Sequence, residues 1–147
     1  MRLAAGLVAG TLVTAVAGSI VQTQINLVSI TRLGAEVPVG LRLATTAEDI
    51  VRFGPVMGLI TLAAFLPAFA AAWLVGMARP RWAVPAAAMA GVAGLWTAFT
   101  VMGFFTPMPT LVAAVRTAPG LWAMCATGLL GGLVFAGLAG LGRSGRA

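Results

Sequence analysis

Histidine, tyrosine and lysine are absent from this chain of 147 residues, cysteine occurs once, and only three residues are acidic. Each absence closes off a chemistry. Without His or Tyr the chain lacks the commonest proton-transfer and haem-ligating side chains. Without His or Lys no Ser or Thr hydroxyl has a base to activate it as a nucleophile. The single cysteine, Cys125, sits inside an apolar run and allows neither an intrachain disulfide nor a thiolate metal cluster. The adjacent acids Glu48 and Asp49 read as complements to a helix dipole rather than as a cation site. No metal and no cofactor is expected.

Charge is scarce as well. Only 8% of residues are charged and 61% are hydrophobic, against about 25% charged in an ordinary soluble domain. That balance excludes a soluble globule. Apolar runs of about 20 residues are the signature of membrane-spanning helices, and four are found, at about residues 3–27, 55–77, 82–105 and 120–141. The expected fold is an all-α integral membrane protein, one domain over 1–147, with its four spans in an antiparallel bundle. No Asp, Glu, Lys or Arg lies within a span, which disfavours a proton relay or an ion-coupled pump. The net charge of +6 comes from nine arginines in loops and at the ends of apolar runs. Anionic lipid head groups, not nucleic acid, are the expected counter-charge.

The opening stretch, 3–30, organises the rest. Its start resembles a secretory signal peptide, with a basic residue, a short apolar region and Ala15-Val16-Ala17. The apolar run continues past that point through Ile20 and Val21, which favours an uncleaved first span. Read every fourth residue, it gives Gly6, Gly10, Thr14, Gly18, Gln22 and Asn26. This spacing places small residues on one stripe, where another backbone can approach, and two carboxamides near its end. Gln22 and Asn26 read either as bonds to a neighbouring helix or as a weak ligand site for a lipid or quinone carbonyl. Gln24 points elsewhere, toward the head groups. The fourth span has a second small-residue stripe, Gly128, Gly132, Ala136 and Gly140.

All three acids fall in the polar segment 31–54. There Thr45-Thr46-Ala47-Glu48 matches a capping box, which predicts a short surface helix over 46–53 with Ile50 and Phe53 in the interface and Glu48, Asp49 and Arg52 hydrated. A second surface helix is expected over 110–116. Pro67 predicts a kink in the second span. Trp73 and Trp82 flank Arg79-Pro80-Arg81 as interfacial anchors; Trp96 and the methionines 57, 89, 102 and 124 read as core packing.

Arginines set the expected topology. Arg2, Arg79, Arg81, Arg143 and Arg146 fall on one side and Arg32, Arg42, Arg52 and Arg116 on the other. The short basic segments of the first group place it, with both termini, in the cytoplasm. Residues 45–79 align without gaps onto 109–143 with nine identities, among them Arg52 with Arg116 and Pro55 with Pro119. Two readings stand: a duplication of 1–79 and 80–147 about an axis along the membrane normal, or two hairpins obeying the same interface rules. Abundant Ala, Gly and Arg without Lys point to a GC-rich bacterial source, hence the bacterial inner membrane. The expected function is a non-enzymatic accessory or scaffolding subunit that packs against a membrane-protein partner or itself. The alternative is a binder or carrier of a small apolar or lipidic molecule, and the third reading is an intramembrane enzyme.

Overall fold

The computed structural model describes residues 1–105 and 112–141. In chain order these form α1 (Arg2–Arg32), α2 (Val39–Arg52), α3 (Gly54–Ala78), a 3₁₀ turn (Pro80–Trp82), α4 (Ala83–Phe105), a 3₁₀ turn (Ala113–Arg116) and α5 (Ala118–Ala139). No strand occurs among the described residues. Four helices, α1, α3, α4 with its preceding turn, and α5, are long and apolar enough to cross a membrane. Each is apolar around most of its circumference, as suits a helix that meets protein on one side and hydrocarbon on the other. Their exposed residues, such as Leu12, Leu59, Leu66 and Leu138, are as apolar as the buried ones.

Packing joins consecutive spans and closes α5 back onto α1. The core draws on all four, through Ala15, Met57, Phe65, Phe69, Leu95, Phe99, Met124 and Phe135. Phe65, Phe69 and Phe135 stack in sequence, each pair of ring centroids 4.3 Å apart. α3 runs unbroken through Pro67, which lies on its exposed side. Pro55 and Pro119 each occupy the first turn of a span, where the missing N–H is no loss.

Several sequence expectations are revised here. The first surface helix begins at Val39, not at Thr46. Pro38 starts it, accepting the Arg42 N–H at 3.0 Å. Thr46 lies in mid-helix, where its hydroxyl donates to the Arg42 carbonyl at 2.7 Å and caps nothing. Of the residues expected to be hydrated, Glu48 and Arg52 are exposed, while Asp49 is half-buried and accepts from Thr23. Arg42, Thr46, Asp49 and Ile50 are half-buried, as is Phe53 just after the helix, while Val39, Leu43 and Val51 are exposed. Phe53 packs against the core and is the single residue between α2 and α3. Trp96 and Met89 lie on the outer surface, not in the core. The expected second surface helix falls partly outside the described residues, and its described part is the turn Ala113–Arg116.

Candidate functional site

The small-residue stripes serve the inside of the bundle. A methyl on Gly6 would lie 3.1 Å from the Phe135 carbonyl oxygen, and one on Gly10 would lie 2.7 Å from that of Gly131. Thr14 continues the seam by donating to the Thr127 carbonyl at 3.4 Å. Gly18 instead leaves room for Met57 of α3, whose Cε would come within 2.7 Å of an added methyl. On α5, Gly128 and Gly132 face the other way and meet Gly91, Ala87 and Ala88 of α4. Ala136 is buried. Gly140 belongs to no seam; it ends α5 in the left-handed region (φ 75°), with the Leu141 N–H closing onto the Ala136 carbonyl at 3.1 Å. Gly131, which lies off the α5 stripe, is the glycine that α1 requires.

Polar chemistry gathers where α1 ends, beside α2 and the start of α5. Gln24 Nε2 donates to Thr46 Oγ1 at 2.9 Å, and Arg42 Nη1 donates to Gln24 Oε1 at 3.1 Å. With the bond from Thr46 to the Arg42 carbonyl, these make a closed ring that ties α2 to α1. The two contacts fix which end of the Gln24 amide is oxygen. One turn away, Thr23 Oγ1 lies 2.6 Å from Asp49 Oδ2 and 2.9 Å from the Ser19 carbonyl. It has one hydrogen to give, and the charge-assisted bond to the carboxylate is the stronger. Glu48 pairs with Arg52 at 2.8 Å in the exposed i,i+4 arrangement, a contact of about 0.3–0.5 kcal/mol at most.

The expected carboxamide pair is divided. Gln22 is buried, and its Oε1 has no hydrogen-bond partner; the same holds for the buried hydroxyls of Thr11 and Thr61. Asn26 is half-buried and opens into a cavity of about 840 Å³ between the end of α1 and the start of α5. Gln24, Ser29 and Arg32 share its α1 wall, and Arg116, Thr117 and Ala123 face them. Thr117 caps α5 by accepting the Gly120 N–H at 3.2 Å. Gly120 is required there because a side chain would collide with the Ala114 carbonyl. That close turn carries Arg116 to the cavity.

Among the described residues no carboxylate lines the cavity. Arg32 and Arg116 are its basic residues, and Ile25, Val28, Pro119 and Ala123 contribute apolar surface. The two arginines matched by the repeat therefore have different surroundings, Arg52 in an exposed ion pair and Arg116 at a cavity. Sequence reasoning missed Gln24, Arg32 and Thr117 as parts of one site. The available signal was the run of polar residues over the last two turns of α1, which continues past Asn26 to Ser29 and Arg32.

A second opening lies on the outside of the α3–α4 seam. It is a groove of about 620 Å³, walled by Ala63, Ala64, Ala68, Ala90, Ala93 and Gly94. Among the described residues no group of three or more His, Cys, Asp or Glu is placed to hold a metal ion. Comparison with known protein families, with curated proteins and with solved structures returned no match.

Proposed function

We propose that the chain is a non-enzymatic subunit of a bacterial inner-membrane assembly, either with a partner protein or with further copies of itself. One observation carries this reading, the alanine-walled groove on the outside of the α3–α4 seam. In lipid no hydrophobic force draws helices together, so association rests on close van der Waals packing, which small residues permit. The glycine stripes of α1 and α5 are used up within the bundle. The groove between α3 and α4 is a further small-residue surface among the described residues, and its exposed members Ala63, Ala71 and Ala93 face outward. A transmembrane helix is the occupant that such a groove fits.

An antiparallel arrangement of the spans goes with this reading. It is supported by contacts that run in opposite senses, Gly6 with Phe135 and Gly10 with Gly131, then Ala87 with Gly132 and Gly91 with Gly128. It also puts Arg2 beside Gly140 at one end and Arg32 near Arg116 at the other, the grouping from which cytoplasmic termini follow. α2 is then an interfacial helix on the outer side. Duplication is supported by the approach of Gly94 to Ala64 and Ala68, which repeats in the second half of the chain the approach of Gly10 to α5.

The test fills the groove from its exposed side. Ala63→Phe with Ala93→Phe should leave the thermal stability of the purified chain unchanged and reduce the mass of the particle extracted in mild detergent. An unchanged mass would remove the groove as the docking surface.

A further inference from the structure

We propose that a second copy of the chain occupies the groove on the outside of the α3–α4 seam, in a two-fold pair where Trp96 of each copy enters the groove of the other. This rests on the subunit reading and names the occupant of its docking surface.

The groove offers hydrogen-bond acceptors and no donor. Pro67 lies exposed on its wall, within the unbroken helix α3. Proline has no N–H, so the Ala63 carbonyl lacks the donor that the fourth residue on supplies in an α-helix. A helical carbonyl points along the axis toward that residue, and Ala63 and Pro67 both line the groove. The oxygen therefore lies on the groove wall. Thr97 is the polar side chain among the described lining residues, and its one hydrogen goes to the Ala93 carbonyl at 2.9 Å. A Cβ on Gly94 would meet Ala64 and Ala68. Because α3 and α4 run in opposite senses across the turn Pro80–Trp82, Thr97, one turn beyond Gly94, stands level with Ala63. Away from water a carbonyl without a donor is costly, so the occupant that fits brings an N–H or O–H to that level.

Trp96 is that donor. It precedes Thr97 directly, hence lies at the same depth, and it is 43% exposed on the outer surface. Its indole N–H can only donate. An interfacial anchor belongs at a span end, but Trp96 lies nine residues, about 14 Å, short of the end of α4 at Phe105. A tryptophan at that depth serves packing against protein, with an acceptor for its N–H. Around α4, Thr97 lies at the α3 edge of the exposed face, and Trp96 is turned from it by about 100° toward the α5 edge. A two-fold axis along the bundle sets the α3 edge of one copy against the α5 edge of the other at equal depth. Each Trp96 then meets the Ala63 carbonyl of the other copy, and the contact is reciprocal, as a closed two-fold interface requires. The groove of about 620 Å³ accommodates an indole, and its alanines let the second α4 approach closely.

The experiment uses the full chain in mild detergent, mixed from copies labelled at the N-terminus with a donor or an acceptor fluorophore, with energy transfer read against dilution. The wild type should pair. Trp96→Phe keeps a ring and removes the N–H, and should weaken pairing about tenfold, about threefold for each of two interhelical bonds. Pro67→Ala gives the Ala63 carbonyl an N–H within α3 and should also weaken pairing. Trp96→Phe with Pro67→Ala should be no weaker than the weaker single variant, because both changes remove the same bond. Trp73→Phe, on α3 outside the groove, should pair as the wild type does. No energy transfer in the wild type, full pairing in Trp96→Phe, or additive losses in the double variant would overturn the proposal. The groove variant Ala63→Phe with Ala93→Phe separates this from the subunit reading. Should it lose particle mass while labelled wild-type copies do not pair, the groove docks another protein and the two-fold pair alone falls. Should it keep its mass, the groove falls as a docking surface and the pair falls with it.

Discussion

Gly10 of α1 and Gly131 of α5 stand so close that a methyl group on Gly10 would lie 2.7 Å from the Gly131 carbonyl oxygen. Backbone meets backbone there, with Phe69 flanking Gly10 and Phe65 flanking Gly131. The glycine pair thus does two things. It brings α1 against α5, and it makes room for the stacked phenylalanines of the core.

It follows that Gly10 is less tolerant than Gly18, although both lie on one stripe. An alanine at Gly10 must move a helix backbone, while one at Gly18 meets the flexible end of Met57. Overpacking of a tight core costs about 1–3 kcal/mol, and Gly10→Ala should fall at the upper end of that range. Thermal unfolding of the purified variants in detergent should rank wild type above Gly18→Ala, and Gly18→Ala above Gly10→Ala. The opposite ranking would mean that the α1–α5 seam is looser than described.

The α1 stripe was legible because its period matches the helix and because small residues along a span have one main use, close packing. The four long apolar helices were legible for an equally simple reason, since uninterrupted apolar runs of about 20 residues favour helices long enough to cross a membrane. Gly131 was not, because α5 packs on two neighbours and a single stripe of Gly128, Gly132 and Ala136 describes only one of its faces. The start of α2 was misread because Thr45 to Glu48 imitates a cap, while the true start at Pro38 and Val39 carries no capping side chain. The cavity was hidden for a topological reason. Arg32 and Arg116 come together only when α5 folds back beside α1, and no local period records that.

α2 is held to α1 by polar contacts, so it should be separable from the bundle. Gln24→Leu removes both side-chain bonds of the ring, to Thr46 and from Arg42. Together these contribute about 1–3 kcal/mol. Hydrogen exchange over 39–52 should speed up in this variant while the core of α1, α3 and α5 keeps its protection. Uniform acceleration across the chain would show that α2 supports the bundle globally and is not a locally tethered element.

Gln22 and Asn26 lie one turn apart, yet the same replacement should act on them for different reasons. Gln22 Oε1 is buried without a partner, and an unsatisfied buried acceptor costs about 1–3 kcal/mol. Leucine has a similar size and no polar atom to satisfy, so Gln22→Leu should unfold at the same temperature as the wild type or higher. Asn26 opens into the cavity and contributes little to packing. Asn26→Leu should leave the unfolding temperature unchanged. Thermal unfolding of the two variants separates the effects. A clear loss of stability in Gln22→Leu would mean that its carboxamide is held by a group the helices themselves do not provide.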